Sequence, residues 1–451
     1  MRCIDDPVGQ CRWGHGSQES GNRRFQMSDE RNGSSKITRK QFLRGISMVA
    51  LGGLAAPAIL KVTSVARAAD SGPIKLGILF DQTGGFGEYG LPAVHAAELA
   101  IEEINASGGI NGRQVEAVIA DTQSDTSRYV STARMMIGRD KVDALIGAIG
   151  SQDREAIRPI AHSAKIPYFY PTCYEGGVAD SWTFCTGVVP EQGFATLIPH
   201  MIGQYGPNVY DLAADYVWGQ LSTMWLSKYV KEKGGSIVGT EAVPLNVSDF
   251  NSTLGRIQSA KPNWTYSSLT GKEQSAFFTQ RASLGVDIPL ADFVITLAQA
   301  GGHRRMKAPV LAGLHETFSY VEELEGERNS DFVKRFRVKF PDEVFISQPA
   351  QNTYVAIQLY AKAATMAGNV QPIEVVKALE TGISYDAPEG TVKVDPKSHH
   401  VSHSVHLAKV GQTHKLEILK SWENIEPFWL GSIGVDLTKK PESKQYSPLA
   451  A

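Results

Sequence analysis

The stretch P-Y-F-Y-P-T-C-Y-E-G-G, Pro167 to Gly177, governs how the rest of the chain reads. It opens as a short strand, Pro167 to Tyr170, breaks at Pro171 and runs on to Gly176-Gly177. In a parallel sheet, ligands bind in the crevice beyond the carboxyl ends of the strands. This strand end carries a phenol, Tyr170, then a hydroxyl, Thr172, with Tyr174 and Glu175 just beyond. Aromatic walls with a few hydrogen-bonding groups suit a small polar molecule. The plainer alternative is a loop whose tyrosines pack against neighbouring helices, and the surrounding pattern must choose between the two.

Outward from that stretch, strand and helix periods alternate, which implies parallel sheets covered by helices on both faces. The first series runs strand 74–80, helix 91–106, strand 115–120, helix 126–138, strand 144–147, helix 154–163 and strand 167–170. In the 91–106 segment Ala93, Ala97, Ala100, Ile101 and Ile104 share one face, and Gly108-Gly109 stop the helix. A second series begins near Pro190 and reaches a strand at 288–295. The helices expected at 329–340, 350–366 and 373–379 lack a full set of strands of their own, so they return to cover the first lobe. Residues 390–422 read as β-hairpins. The expected division is lobe 1 from 74–188 plus 315–385, lobe 2 from 189–314 plus 386–430, and a tail over 431–451. A chain that leaves one lobe, builds another and returns makes a hinge, and hinged lobes close around ligands.

Four motifs carry a family resemblance: I-E-E-I-N-A-S-G-G-I-N-G-R from Ile101, Y-P-T-C-Y-E-G from Tyr170, A-D-Y-V-W-G from Ala214, and D-A-P-E-G-T-V-K-V-D-P-K-S-H-H from Asp386. They resemble the periplasmic type I solute-binding proteins of ABC importers, and the last resembles the branch that binds urea and short-chain amides. The resemblance spans roughly residues 74–422, in the family's order. It implies an α/β fold of two Rossmann-like lobes joined by a three-segment hinge, like the leucine-binding protein, with ligand in the cleft. It also implies a non-enzymatic receptor that passes a small polar solute to a membrane permease.

The expected ligand contacts are Ser151, Tyr170, Thr172, Tyr216 and Trp218. Ser151 begins a helix, where a hydroxyl and free backbone N–H groups favour an acceptor oxygen; an ordinary N-cap serine is the alternative. In the resembled family the residues matching Ser151, Tyr170 and Thr172 touch ligand, and that matching Tyr216 closes the pocket from the second lobe. Trp218 is an aromatic wall or a cover for the hinge. Asp153, one turn into the same helix, would repel a carboxylate, which favours a neutral amide. The chain departs from the amide/urea pattern at Gln299 and Gln351, each standing where a glutamate is expected. Glutamine donates and accepts but cannot balance an ammonium. A branched-chain or other amino acid is therefore the alternative ligand, and an extracytoplasmic sensor the alternative role.

Bulk properties agree with this class. The chain has 451 residues, 42% hydrophobic and 20% charged, enough to bury a large core, and a formal net charge of −2 that gives no sign of a nucleic-acid partner. Residues 1–36 read as a disordered leader. Residues 37–68 carry a basic patch from Thr38 to Arg44, an uncharged run and Ala66-Arg67-Ala68, the three-part pattern of an export signal resembling the twin-arginine type. Periplasmic or other extracytoplasmic placement follows.

Three other signals compete. Gly85-Phe86-Gly87-Glu88-Tyr89-Gly90 fits the dinucleotide fingerprint G-x-G-x-x-G, with Asp121 ending the next strand. Asp81 to Gly84 separate it from the strand, and Pro92 places the helix start after the third glycine, so no cofactor is expected and the loop is assigned to the cleft rim. His399, His400, His403 and His406 cluster, but no acid or cysteine completes a ligand set, so solvated, structural histidines are expected and no metal. Cys173 and Cys185 are the cysteines of the expected mature chain, and pairing between them is open. Neither has a motif of a nucleophile.

Overall fold

The computed structural model describes residues 72–448. The leader expected over 1–36 and the export signal expected over 37–68 lie outside the described residues. The first lobe is built from β1 (Ile74–Phe80), α1 (Gly87–Ala106), β2 (Val115–Asp121), α2 (Thr126–Met135), β3 (Ala144–Gly147), α3 (Ser151–Ala164), β4 (Tyr168–Tyr170), β5 (Val178–Asp180) and β6 (Thr183–Cys185). Its sheet has the order β2-β1-β3-β4-β6 and is parallel throughout. Strands β3 and β4 are buried along their whole length, as a parallel sheet covered on both faces requires.

The second lobe takes α4 (Pro190–Tyr205), β7 (Asn208–Ala214), α5 (Val217–Glu232), β8 (Ser236–Val243), α6 (Asn251–Ala260), β9 (Trp264–Ser267), α7 (Gly271–Ser283), β10 (Leu290–Phe293), α8 (Gly302–Arg305) and β11 (Leu314–Phe318). The chain then crosses to α9 (Glu327–Lys339), α10 (Gln348–Ala367), α11 (Pro372–Leu379), β12 (Ser384–Ala387) and β13 (Gly390–Lys393), and returns as β14 (His403–Val410) and β15 (Leu416–Ile425). Short α12 (Trp429–Ser432) and β16 (Ser443–Gln445) follow. The second sheet runs β15-β14-β11-β10-β9-β7-β8, parallel except where β14 joins β11 and β15 antiparallel. Apolar faces of α1, α9, α10 and α11 share one core with β1 and β3, so the three late helices do cover the first lobe.

Chain passages between the lobes therefore follow β6, β11 and β13. The two later ones fall beyond the positions the sequence pattern suggested. Strand β11 pairs with β10 and β14, so the passage back to the first lobe follows Phe318 rather than preceding residue 315. Ala387 and Val392 of the β12–β13 hairpin lie in the first lobe's core, so the last passage follows Lys393 rather than residue 385. Residues 431–451 are more than a tail: β16 pairs antiparallel with β5.

Helix α1 starts four residues earlier than Pro92 suggested. Asp121 accepts from the N–H groups of Gln82 and Thr83, and Ser124 from that of Phe86, which pins the loop and launches the helix at Gly87. Gly90 thus lies inside the helix against the end of β1, where a Cβ would stand 2.1 Å from the Asp81 carbonyl oxygen. That spacing satisfies the third glycine of the fingerprint, contrary to expectation. The acid it also needs is engaged: Asp121 holds its own loop through Gln82, Thr83 and Gln123.

Three of the four clustered histidines are buried rather than solvated, and His406 is half-buried. His399 stacks on Phe184 and contacts Glu380, His400 meets the Tyr174 hydroxyl at 2.5 Å, and His403 contacts Glu389 at 2.6 Å, all three in the interior. Among the described residues no group of three or more His, Cys, Asp or Glu is arranged to hold a metal ion, and no helix is long and apolar enough to cross a membrane.

Gly90→Ala should lower stability by about 1–3 kcal/mol, the usual cost of overpacking. Gly85→Ala, with nothing within 4 Å of the added methyl, should leave it unchanged. Urea unfolding midpoints of the two variants check this pair.

Candidate functional site

A small cavity of about 10 Å³, room for about one water molecule, lies between the lobes, lined by Phe86, Ile149, Gly150, Ser151, Cys173, Tyr216, Trp218, Thr270, Ile295 and Gln299. Three helices begin at it. Gly150 caps α3 from the first lobe, and Tyr216 and Thr270 cap α5 and α7 from the second. None of the three caps bonds its helix through a side chain. The first N–H groups of a helix have no intrahelical partner, and they carry the positive end of its dipole. The three helix starts face a shared space, a setting for acceptor oxygens, although the first N–H of α7, that of Gly271, already donates to the Tyr89 hydroxyl. The Thr270 hydroxyl is buried there beside the Tyr216 hydroxyl, with which it interacts.

Backbone strain marks both walls. Gly147 adopts φ +149°, and a Cβ would stand 1.9 Å from the Leu79 carbonyl oxygen, so the turn into the 148–150 loop needs glycine. Ala148 has φ 73° and Val294 φ 72°, left-handed values that a β-branched residue rarely takes. Such residues cluster where a structure is organised for binding.

The predicted residues divide into two groups. Ser151, Tyr216 and Trp218 line the cavity. Trp218 is anchored by its indole N–H, which donates to the Ser268 carbonyl at 3.0 Å. Tyr170 and Thr172 do not line it. The Tyr170 hydroxyl donates to the Ile149 carbonyl at 2.8 Å, and the Thr172 hydroxyl to the Ala148 carbonyl, also at 2.8 Å. They hold the loop that presents Ser151. Sequence reasoning missed Phe86, Ile149, Thr270 and Ile295. Thr270 had a usable signal, a threonine immediately ahead of a helix; an isolated isoleucine has none.

Ser151 is itself held from behind. Its hydroxyl donates to Glu175 at 2.6 Å, and Glu175 pairs with the fully buried Arg154 at 2.6 Å. The Arg154 guanidinium lies over the rings of Tyr174 and Tyr170, 4.5 and 5.1 Å from their centroids. Asp153 faces Thr126, which donates to it at 2.5 Å, and burial pushes its carboxyl up to about 7. Gln299 accepts from the Cys173 thiol at 2.8 Å, whereas Gln351 is buried elsewhere with neither amide atom bonded. Cys173 and Cys185 are both free and buried, and burial pushes both thiols up, Cys185 to about 12. Thiols so shifted are poor nucleophiles.

Beside the cavity lies an acid pair, Asp292 on β10 and Glu316 on β11, in register and fully buried. Asp292 bonds Thr296, and Glu316 accepts from the N–H groups of Leu297 and Ala298. Burial raises both carboxyls, Asp292 to about 7, and the Asp292 charge raises Glu316 further.

The sequence profile of the family described as "Periplasmic binding protein" matches residues 73–415. The chain belongs to the periplasmic binding protein family. Among relatives of this family, a "Leucine-, isoleucine-, valine-, threonine-, and alanine-binding protein" of Pseudomonas aeruginosa is 25% identical over 372 residues, covering 76% of this chain and 91% of the relative. "Leu/Ile/Val-binding protein homolog 1" of Brucella abortus is 25% identical over 340 residues, covering 72% and 86%. The fold matches an R. palustris ABC-transporter solute-binding protein in complex with 4-hydroxybenzoate, with TM-score 0.70, 20% identity and coverage of 79% and 98%. It also matches an amino acid ABC transporter substrate-binding protein of Pseudomonas fluorescens, with TM-score 0.71, 18% identity and coverage of 81% and 99%.

The acid pair gives a pH prediction. Because the folded-state pKa of Asp292 lies above its unfolded value of about 3.9, the folded state binds the extra proton. Its contribution is fully present below the unfolded value and is lost as pH rises through about 7. Relative to wild type, Asp292→Asn should therefore gain about 1 kcal/mol per pH unit across that window. Urea unfolding of both proteins at pH 5, 6.5 and 8 measures the difference; a constant gap would show that Asp292 is already ionised.

Proposed function

We propose that this protein is the extracytoplasmic receptor of an ABC importer. It closes on a small solute that offers a carbonyl or carboxylate oxygen and carries no ammonium group, and it delivers that solute to a membrane permease. Urea and short amides fit this description, and so do small aromatic or aliphatic acids. The observation that carries the reading is the cavity's chemistry: three helix N-termini without side-chain caps of their own converge on it, that of α7 with its first N–H donated to Tyr89, and no carboxylate or basic side chain is among its lining residues. Acceptor oxygens would meet the N–H groups and the Thr270 hydroxyl. A flat or apolar body would lie among Phe86, Tyr216, Trp218 and Ile295. An amino acid would bring its ammonium into a space where Gln299 supplies an amide in place of a charge. Relatives named for branched-chain amino acids, and a solved relative holding 4-hydroxybenzoate, bracket the two ligand chemistries. The export-signal pattern over residues 37–68 supports placement outside the cytoplasm.

A thermal-shift panel of urea, acetamide, benzamide, benzoate, leucine and valine tests the reading. A solute at 100 times its Kd should stabilise the protein by about 2.7 kcal/mol. The shift is expected from members without an ammonium and absent for leucine and valine; a shift from the amino acids alone would overturn the ligand class. Tyr216→Ala should abolish the shift in a protein that still unfolds cooperatively, because it removes a wall. Tyr170→Phe should weaken binding at most severalfold, since its hydroxyl supports a backbone carbonyl rather than the solute.

A further inference from the structure

Behind the cavity, on the side of α3 away from the solute, a buried polar network is closed by the C-terminal strand. Two arginines one turn apart on α3 each face an acid from the segment leading to β6: Arg154 pairs with Glu175, and Arg158 with Asp180 at 3.1 Å. Strand β16 lies over both pairs. Residues two apart on a strand share a face, and here Ser443 and Gln445 form that face. Ser443 accepts from Arg158 at 3.0 Å and donates to Asp180 at 2.5 Å. Gln445 accepts from Arg154 at 3.3 Å and donates to Glu175 at 2.8 Å and to the Gly176 carbonyl at 3.0 Å. Lys444, between them, is exposed.

The same chain end also holds the second lobe. Trp429 of α12 packs edge to face on Trp225 of α5, 4.9 Å between ring centroids, and the Trp225 indole N–H donates to the Glu175 carbonyl at 2.8 Å. Tyr446 continues the pairing, its N–H donating to the Gly177 carbonyl at 2.8 Å. Glu175 is thus bonded by the first lobe through Ser151 and Arg154, by the second through Trp225, and by the strap through Gln445.

We propose that the strap formed by α12 and β16 belongs to the solute site: Gln445 is a positioning residue that fixes Glu175, and through Glu175 sets Ser151 and the first turn of α3 for ligand. This deepens the receptor reading and rests on it. A strand that merely covered the network would protect its own pairing with β5 without affecting the backbone of the first turn of α3. A positioning strap predicts that loss of one side chain at 445 loosens residues 149–154.

Amide hydrogen exchange of the full chain tests this without any solute. Gln445→Leu keeps the strand's backbone pairing but removes both side-chain functions. It should speed exchange over residues 149–154 and 172–177 at least tenfold, while Lys444→Ala leaves both segments unchanged. Ser443→Ala is the second variant, and it should loosen the Arg158 end of α3 more than the Ser151 end. With whichever of acetamide and benzoate stabilises the wild type, Gln445→Leu should weaken binding at least fivefold. Unchanged exchange over 149–154 in Gln445→Leu overturns the proposal whatever the solutes do. Absence of any solute response in the wild type, with faster exchange in the variant, counts instead against the receptor reading and leaves the strap's action established.

Discussion

Everything at this site depends on the buried charge of Arg154. A guanidinium taken fully out of water costs several kcal/mol unless an anion and hydrogen bonds replace the solvent. Two anions supply it, Glu175 at 2.6 Å and Glu155 at 3.0 Å, and Tyr170, Tyr174 and Gln445 lie around the same guanidinium. Satisfying that one charge fixes the loop after β4, because Glu175 sits in it. It also fixes the start of α3, because Arg154 lies in its first turn. The Y-P-T-C-Y-E-G motif and the serine ahead of Arg154 are two halves of one electrostatic unit.

From this unit the cleft's chemistry follows. With Glu175 neutralised by Arg154, no free carboxylate faces the cavity from the first lobe, and the uncapped turn of α3 is left as its polar feature. The second lobe answers with two further helix starts and the rings of Tyr216 and Trp218. The lobes meet directly where the Gly271 N–H donates to the Tyr89 hydroxyl at 2.8 Å.

The alternation of apolar strands and amphipathic helices was legible because period two and period 3.6 leave different traces. The return of α9 to α11 to the first lobe followed from counting strands. Strand β11 was assigned to the wrong lobe because L-H-E-T-F, buried on both faces, carries no alternation to place it. Ser151, Tyr216 and Trp218 were placed at the cavity through the family's motifs. Tyr170 and Thr172 point instead to backbone carbonyls, because a strand-end hydroxyl reaches a neighbouring carbonyl as easily as a ligand, and the sequence does not distinguish the two. Strand β16 could not be read at all: S-K-Q is polar, three residues long, and gains its partners from residues more than 250 positions away.

Glu175 stands at the centre of both fold and site, bonded by Ser151, Arg154 and Gln445, and calorimetry on Glu175→Gln measures its role most directly. The substitution keeps shape and one acceptor but removes the buried one of the two charges that balance Arg154. Titration of wild type and variant with whichever of urea, acetamide, benzamide and benzoate binds the wild type most tightly gives the two affinities. The account predicts at least a tenfold loss in a variant that still unfolds cooperatively. Equal affinity in the two proteins would contradict it.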